Sequence, residues 1–214
     1  MKIAEAPPST QAKAYVLSCP AREELRRQTV MNLEHTDWQG EPEIIIDQTT
    51  CERREERQER SALRLLETAI ADGPSFILFL EDDLDFNRHL RNNLDHWYPL
   101  RHMRGAGQFF ASLYNPNIRP LVRSAQHSFM VADPNTVYGS QAFLLSSTTA
   151  RHIVEHWGDV IGMQDIKMSR LAARVCPLYY HIPSLVQHIG IQSAWGGRFH
   201  SASDFDADWR CAGS

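Results

Sequence analysis

Glu81, Asp82, Asp83 and Asp85 follow directly on the apolar run Phe76-Ile77-Leu78-Phe79-Leu80. Crowded carboxylates repel one another and are costly unless something cationic answers them. Hard oxygen ligands suit Mg2+ or Mn2+, ions that commonly complete their shells with substrate phosphates. A blander reading makes Asp82, Asp83 or Asp85 the cap of a helix starting near Asn87, which accounts for one acid and leaves the others. His188 lies far along the chain in the stretch Pro183-Ser184-Leu185-Val186-Gln187-His188-Ile189-Gly190. It reads either as a satisfied core histidine or as a metal ligand.

These side chains need a frame. Ala14–Ser18, Glu43–Asp47 and Ser75–Leu80 are apolar, β-branched or aromatic runs of strand type. Further strands are predicted at Gln108–Leu113, Val137–Ser146 and Leu178–Ile182. Helices are predicted from Pro20 to about Leu33, over 52–71, and at Asn87–Trp97, Thr148–Trp157 and Asp165–Val175. In the second of these, Leu63, Leu66 and Ile70 make one stripe, with Ala62, Leu65 and Ala69 beside it. Its arginine-rich first half reads as a solvated face, with contact to phosphate the alternative. Strands alternate with helices through the first half. That predicts an α/β fold, a single domain with a mostly parallel central sheet and helices on both faces. A buried parallel strand ends at the carboxyl edge of such a sheet, where ligand crevices form, and the acids stand there. The expected organisation is a disordered lead over 1–13, the domain over 14–200, and a loose tail over 201–214 in which Asp204, Asp206 and Asp208 are solvated.

Composition narrows the function. A chain of 214 residues, 43% hydrophobic, buries a sizeable core without staples. A net charge of -4 and a pI near 6.2 argue against nucleic acid as a partner. Cys19, Cys51, Cys176 and Cys211 form no CxxC pair and no zinc spacing. Free thiols, no signal-like N-terminus and no long apolar run lead to the expectation of a cytoplasmic protein with no membrane span.

A hydrophobic strand ending in Glu81-Asp82-Asp83 resembles the DxD-type motif of GT-A glycosyltransferases, read as Glu81-x-Asp83 or, in the alternative register, Asp83-x-Asp85. The resemblance implies a GT-A-like (Rossmann-like) domain using Mn2+ or Mg2+. Asp83 becomes the expected metal ligand, Asp85 a further candidate, and Glu81 and Asp82 donor contacts. Tyr15-Val16-Leu17-Ser18 and the arginines after it resemble the first strand and loop of the nucleotide site, implying donor contacts from Ser18 and Arg22. Asp47 ends the second strand, where such enzymes often contact the base. Val137-Tyr138-Gly139-Ser140-Gln141-Ala142-Phe143 resembles the strand lining the sugar and acceptor pocket, which brings in Gln141. The Pro183–Gly190 segment is similar to one in N-acetylglucosaminyltransferases of the type IV branch and related families. It implies His188 as a second metal ligand and a UDP-sugar as donor. Together these segments span most of residues 14–197.

Transfer to a hydroxyl with inversion needs a carboxylate to take the acceptor proton. Inverting GT-A enzymes often carry it in an acid pair at the place where this chain has Gln164-Asp165. Asp165 is therefore the expected base, with Asp159 in reserve. Asp165 is equally a natural first-turn acid of its helix. Trp195-Gly196-Gly197 reads as a hinged loop whose tryptophan stacks on a sugar, or as a packed tryptophan in a tail. The acceptor is a glycan, a peptide or a small molecule. Two other functions compete: a sugar-phosphate nucleotidyltransferase and a binding module without turnover. The first lacks a glycine-rich phosphate loop in Ser18-Cys19-Pro20-Ala21-Arg22. The second keeps the fold and the metal site without turnover, and the full acidic motif together with a candidate base counts against it.

Overall fold

The computed structural model describes residues 11–48, 53–102, 107–116, 128–135, 137, 139–190 and 200–211. Trp195 and Tyr138 lie outside the described residues.

A seven-stranded sheet organises the chain in the order β2-β1-β3-β7-β5-β8-β6. Its strands are β1 (Ala12–Ser18), β2 (Glu43–Ile46), β3 (Phe76–Leu80), β5 (Phe110–Ser112), β6 (Phe129–Ala132), β7 (Ala142–Ser146) and β8 (Leu178–His181). β1 pairs in parallel with both β2 and β3, and β5 in parallel with β8. β7 runs against β3 and β5, and β6 against β8. Five strands thus share one direction, and two face the other way. The short remaining strands, β4 (Leu84–Phe86) and β9 (Val186–His188), form a separate antiparallel pair.

Alternation along the strands divides the core into two layers. Tyr15, Leu17, Ile77 and Phe79 face one side, while Ala14, Val16, Phe76, Leu78 and Leu80 face the other. The first side is covered by α2 (Arg54–Asp72), α5 (Ser147–Glu155) and α6 (Gln164–Ala172). The second is covered by α1 (Glu23–Glu34), α3 (Leu90–Asp95) and α4 (Tyr98–His102). β3 is buried at all five positions because layers lie on both its faces, which is why its sequence does not alternate. On α2 the fully buried stripe is Ala62, Leu65, Leu66 and Ala69, with Leu63 and Ile70 half-buried at its sides. The helix is rotated by about one position from the expected face, so small alanines meet the sheet. Each large aliphatic side chain buried there contributes about 1.5–3 kcal/mol.

The C-terminal segment corrects an expectation. Residues 200–211 are held down rather than loose. Asn87 Nδ2 donates to the carbonyls of Asp206 and Trp209, both at 2.8 Å, and Arg88 N–H donates to Ala207 O. Asp204 accepts from the Ser184 N–H at 3.1 Å, so it is not a solvated acid. Ala202 is buried in the second layer. The segment is polar but short of partners of its own, and fully buried Asn87 and Asn93 supply them. Among the described residues, no helix is long and apolar enough to cross a membrane.

Candidate functional site

Because β1, β2 and β3 are parallel, their carboxyl ends bring Ser18, Asp47 and Glu81 to one edge. Asp47 N–H donates to Ser18 O at 2.6 Å, locking the first two ends together. β7 runs the other way, so its beginning lies at the same edge and delivers Ser140 and Gln141. There Glu81 N–H donates to Gln141 O at 2.9 Å. The resulting cleft is lined by Leu17, Ser18, Cys19, Arg22, Asp47, Glu81, Asp82 and Gln164. Ser18, Arg22, Asp47, Glu81 and Asp82 were all expected at a donor site, and the fold assembles them around one hollow.

Within it, Ser18 Oγ donates to Asp82 Oδ2 at 2.6 Å, and Arg22 Nε lies 2.9 Å from Asp82 Oδ1. Arg22 Nη2 pairs with Asp83 Oδ2. Pro20 opens a single 3-10 turn that feeds α1 and points Arg22 back at the acids. Arg26, one turn later, donates to Ser18 Oγ at 3.2 Å. Burial raises the Glu81 carboxyl to about 7, with the charge of Asp83 adding to it, although Ser140 Oγ donates to it at 2.6 Å. Burial likewise lifts Asp82 to about 6, against the pull of Arg22.

Asp83 behaves differently. Burial opposes its charge, but His188 and Arg22 outweigh that and hold it below the usual carboxylate range. His188 arrives through the β4–β9 pairing, in which Leu84 faces His188 and Ile189 N–H donates to Asp83 O at 2.8 Å. His188 Nε2 then sits 3.0 Å from Asp83 Oδ2, and its Nδ1 lies 3.2 Å from the His200 carbonyl. That carbonyl requires a proton on Nδ1. Burial disfavours the charged ring, but the bond to Asp83 raises its pKa. His200 stacks on His188 with ring centroids 5.1 Å apart, and Tyr114 Oη lies 2.7 Å from His200 Nδ1. Burial and the charge of His188 keep His200 below its ordinary value.

Two observations test whether a divalent cation suits this pair. Asp83 Oδ1 is buried with no hydrogen-bond partner among the described residues. A Cβ on Gly190 would come within 2.3 Å of Asp83 Oδ2 and 2.9 Å of its Cγ, so only glycine lets the carboxylate lie where it does. His188 is oriented as ligating histidines usually are, with the ring nitrogen away from the site held by a carbonyl. Asp83 and His188 fit Mn2+ or Mg2+. Asp85 is not brought to them. Its Oδ1 accepts from the Phe86 N–H, and it lines a separate polar hollow with Asn32, His35 and Arg88. Among the described residues, no group of three or more His, Cys, Asp or Glu side chains could hold a metal ion. A cation held by these two side chains would need further oxygens to complete its shell.

Asp165, at the start of α6, accepts from the Gly139 N–H at 2.8 Å with Oδ2 and from the Ile166 N–H with Oδ1. Gly139 has φ +84, and a Cβ there would strike Gln141 Oε1 at 2.3 Å. Asp165 thus fastens the bend that turns into β7. Its neighbour Gln164 is fully buried, lines the cleft, and donates to Glu81 Oε1 at 3.1 Å and to Ser140 Oγ at 2.5 Å. Gln141 is buried with its Oε1 unpartnered among the described residues. Asp159 forms a surface pair with Arg174 at 2.7 Å and does not line the cleft. Ser140, Gln164, Gly190, Tyr114 and His200 were not singled out by type and spacing. Gln164 left a trace as the polar partner of Asp165 where an acid pair was expected, and Ser140 and Gly190 lie within the segments that carry the resemblance.

Comparison with protein-family models and with curated proteins gives no match. Among solved structures, the chain is similar to a glycosyltransferase involved in the glycosylation of the major capsid of PBCV-1. The TM-score is 0.42 at 8% identity, over 80% of this chain and 93% of that one. A likeness that low carries no weight for fold or for activity.

Proposed function

We propose that this protein is a metal-dependent glycosyltransferase that moves a sugar from a nucleotide-sugar donor, a UDP-sugar, onto an acceptor hydroxyl. The observation that carries the reading is the Asp83–His188 pair, with its orphaned buried Oδ1, beside a cleft at the carboxyl ends of three parallel strands. In open α/β sheets that edge binds nucleotides. When bound, Mn2+ or Mg2+ supplies a Lewis acid that neutralises the leaving diphosphate.

The chain's own residues have the following parts in this reading. Asp83 and His188 hold the ion. Ser18 and Arg22 are assigned to the phosphate oxygens, which a hydroxyl and a guanidinium suit. Asp47, next to Ser18 in the cleft lining, is assigned to the base or ribose. Glu81, fastened by Ser140 and Gln164, is assigned with Gln141 to the sugar. Asp165 is the carboxylate assigned to accept the acceptor proton; its hydrogen bond to Gly139 also fixes the segment that bears Ser140 and Gln141.

Calorimetric titration of UDP and of GDP tests the reading, with Mn2+ and then with chelator. UDP binding that requires Mn2+ and vanishes in Asp83→Ala supports it. Absence of nucleotide binding under every condition overturns it.

A further inference from the structure

Arg22 occupies a position that calls for an account of its own. Its guanidinium spans the two carboxylates that a divalent cation would approach, reaching Asp82 with Nε and Asp83 with Nη2. The Arg22 side chain is 12% exposed, against 6% for Asp82 and 2% for Asp83, so the bridge lies mostly out of water. Arg22 thus answers both carboxylates with one fixed positive charge, which meets part of the electrostatic demand that the acids create in the sequence.

The bridge is nevertheless imperfect in a telling way. Asp83 Oδ2 serves both Arg22 and His188, while Asp83 Oδ1 is buried and bare among the described residues. Arg22 Nε is within 2.9 Å of Asp82 Oδ1 but is not aligned for a hydrogen bond. A guanidinium prefers a planar, paired fork with a single carboxylate, and here it straddles two. Arg22 itself lies at the junction between the 3-10 turn and α1, with a non-helical φ of -113, so its side chain can swing without unwinding a helix.

We infer that Arg22 is an exchangeable counter-ion: it closes the Asp82–Asp83 pair and releases it to a divalent cation when a nucleoside diphosphate arrives to receive the guanidinium. Anionic phosphate oxygens offer Arg22 the paired acceptors that the two aspartates do not. Metal and diphosphate therefore bind as a unit, and each alone meets a site that Arg22 bridges. The arrangement rests on the metal-and-donor reading above and specifies how that site is controlled.

Binding of Mn2+ alone, followed by the paramagnetic signal of the free ion, tests the exchange in the wild type, Arg22→Gln and Asp83→Asn. Mn2+ should bind at least tenfold more tightly to Arg22→Gln than to the wild type, while Mn2+–UDP should bind at least tenfold more weakly, because the phosphates lose their guanidinium. Should Arg22→Gln fail to fold by thermal melting, Arg22→Lys keeps the charge but reaches one carboxylate at a time. It must then show both changes in the same sense, at threefold or more. Unchanged or weaker Mn2+ binding on loss of Arg22, with Asp83→Asn still abolishing it, leaves the metal site standing and overturns the exchange. Tighter Mn2+ with equal or tighter UDP overturns the relocation onto phosphate. Absence of Asp83-dependent Mn2+ in every variant sinks both readings together.

Discussion

Gly190→Ala probes the site without touching a charged group. An alanine Cβ at Gly190 would stand 2.3 Å from Asp83 Oδ2, 2.9 Å from Cγ and 3.0 Å from Cβ. Swinging the carboxylate clears only the first of these, so the whole Asp83 side chain must shift. Overpacking of this sort costs about 1–3 kcal/mol. Asp83 is also the common partner of His188 and Arg22, and parting a buried ion pair costs about 3–5 kcal/mol when one charge is left uncompensated. A partial shift falls between, at roughly 2–4 kcal/mol, and a chain of this size loses about 2–4 °C in Tm per kcal/mol. The expected result is a Tm lower by roughly 5–15 °C, with Mn2+ affinity reduced about tenfold or more. Gly158→Ala is the control, since its added Cβ meets nothing within 4 Å; it should leave both quantities unchanged. The decisive comparison is a double-mutant cycle with Asp83→Ala, which removes the two closest atoms. In that background Gly190→Ala should cost less than half its original amount, an interaction well above the few tenths of a kcal/mol by which independent sites depart from additivity. An equal cost in both backgrounds would refute the argument that Gly190 exists to admit the Asp83 carboxylate.

Two further expectations follow from other parts of the molecule. His181 is fully buried between Trp97 and Trp209, with Nδ1 donating to Pro183 O at 2.6 Å and Nε2 unpartnered among the described residues; burial lowers its pKa to about 4. The folded pKa is below the unfolded value of about 6.5, so the stabilisation is whole above about pH 6.5 and is lost as pH falls towards 4, about 3 kcal/mol in all. Glu81 and Asp82 are raised and act in the opposite sense over the same range. The readout is therefore the difference in slope between wild type and His181→Phe in urea unfolding from pH 7 to pH 4, and identical slopes would contradict the assignment. Asp165→Asn separates proton transfer from positioning, because asparagine keeps an acceptor for the Gly139 N–H and cannot take a proton. Turnover reduced about 10²-fold or more with Tm held marks a base; retained turnover leaves Asp165 as a backbone clasp only.

The primary structure goes far towards the frame. Apolar runs such as Phe76–Leu80 specify buried parallel strands because both faces must be covered, and the acids after Leu80 mark the edge where the chain leaves the sheet. Local patterning also announces α2 and its end near Gly73, since helix periodicity and breakers act within a few residues. Three-residue strands such as β4 and β9 escape it, as they are too short to carry a period and exist only through each other.

At the site the division is sharper. Residue type left Asp83 as one of four acids and His188 as either a core residue or a ligand, and the family resemblance singled them out; Asp85 has the same chemistry as Asp83, yet it lines another hollow. Gln164 faces the cleft while Asp165 holds a bend, a difference of one position at a helix start that no spacing rule resolves. The tail looked loose because the side chains that hold its backbone, Asn87 and Asn93, lie over a hundred residues away in sequence. Composition and short-range pattern determined what chemistry the chain carries and which strands bear it. Which carboxylate meets His188, which arginine answers the pair, and what room Gly190 leaves for them were decided by contacts between distant segments, whose energies arise only when the fold brings them together.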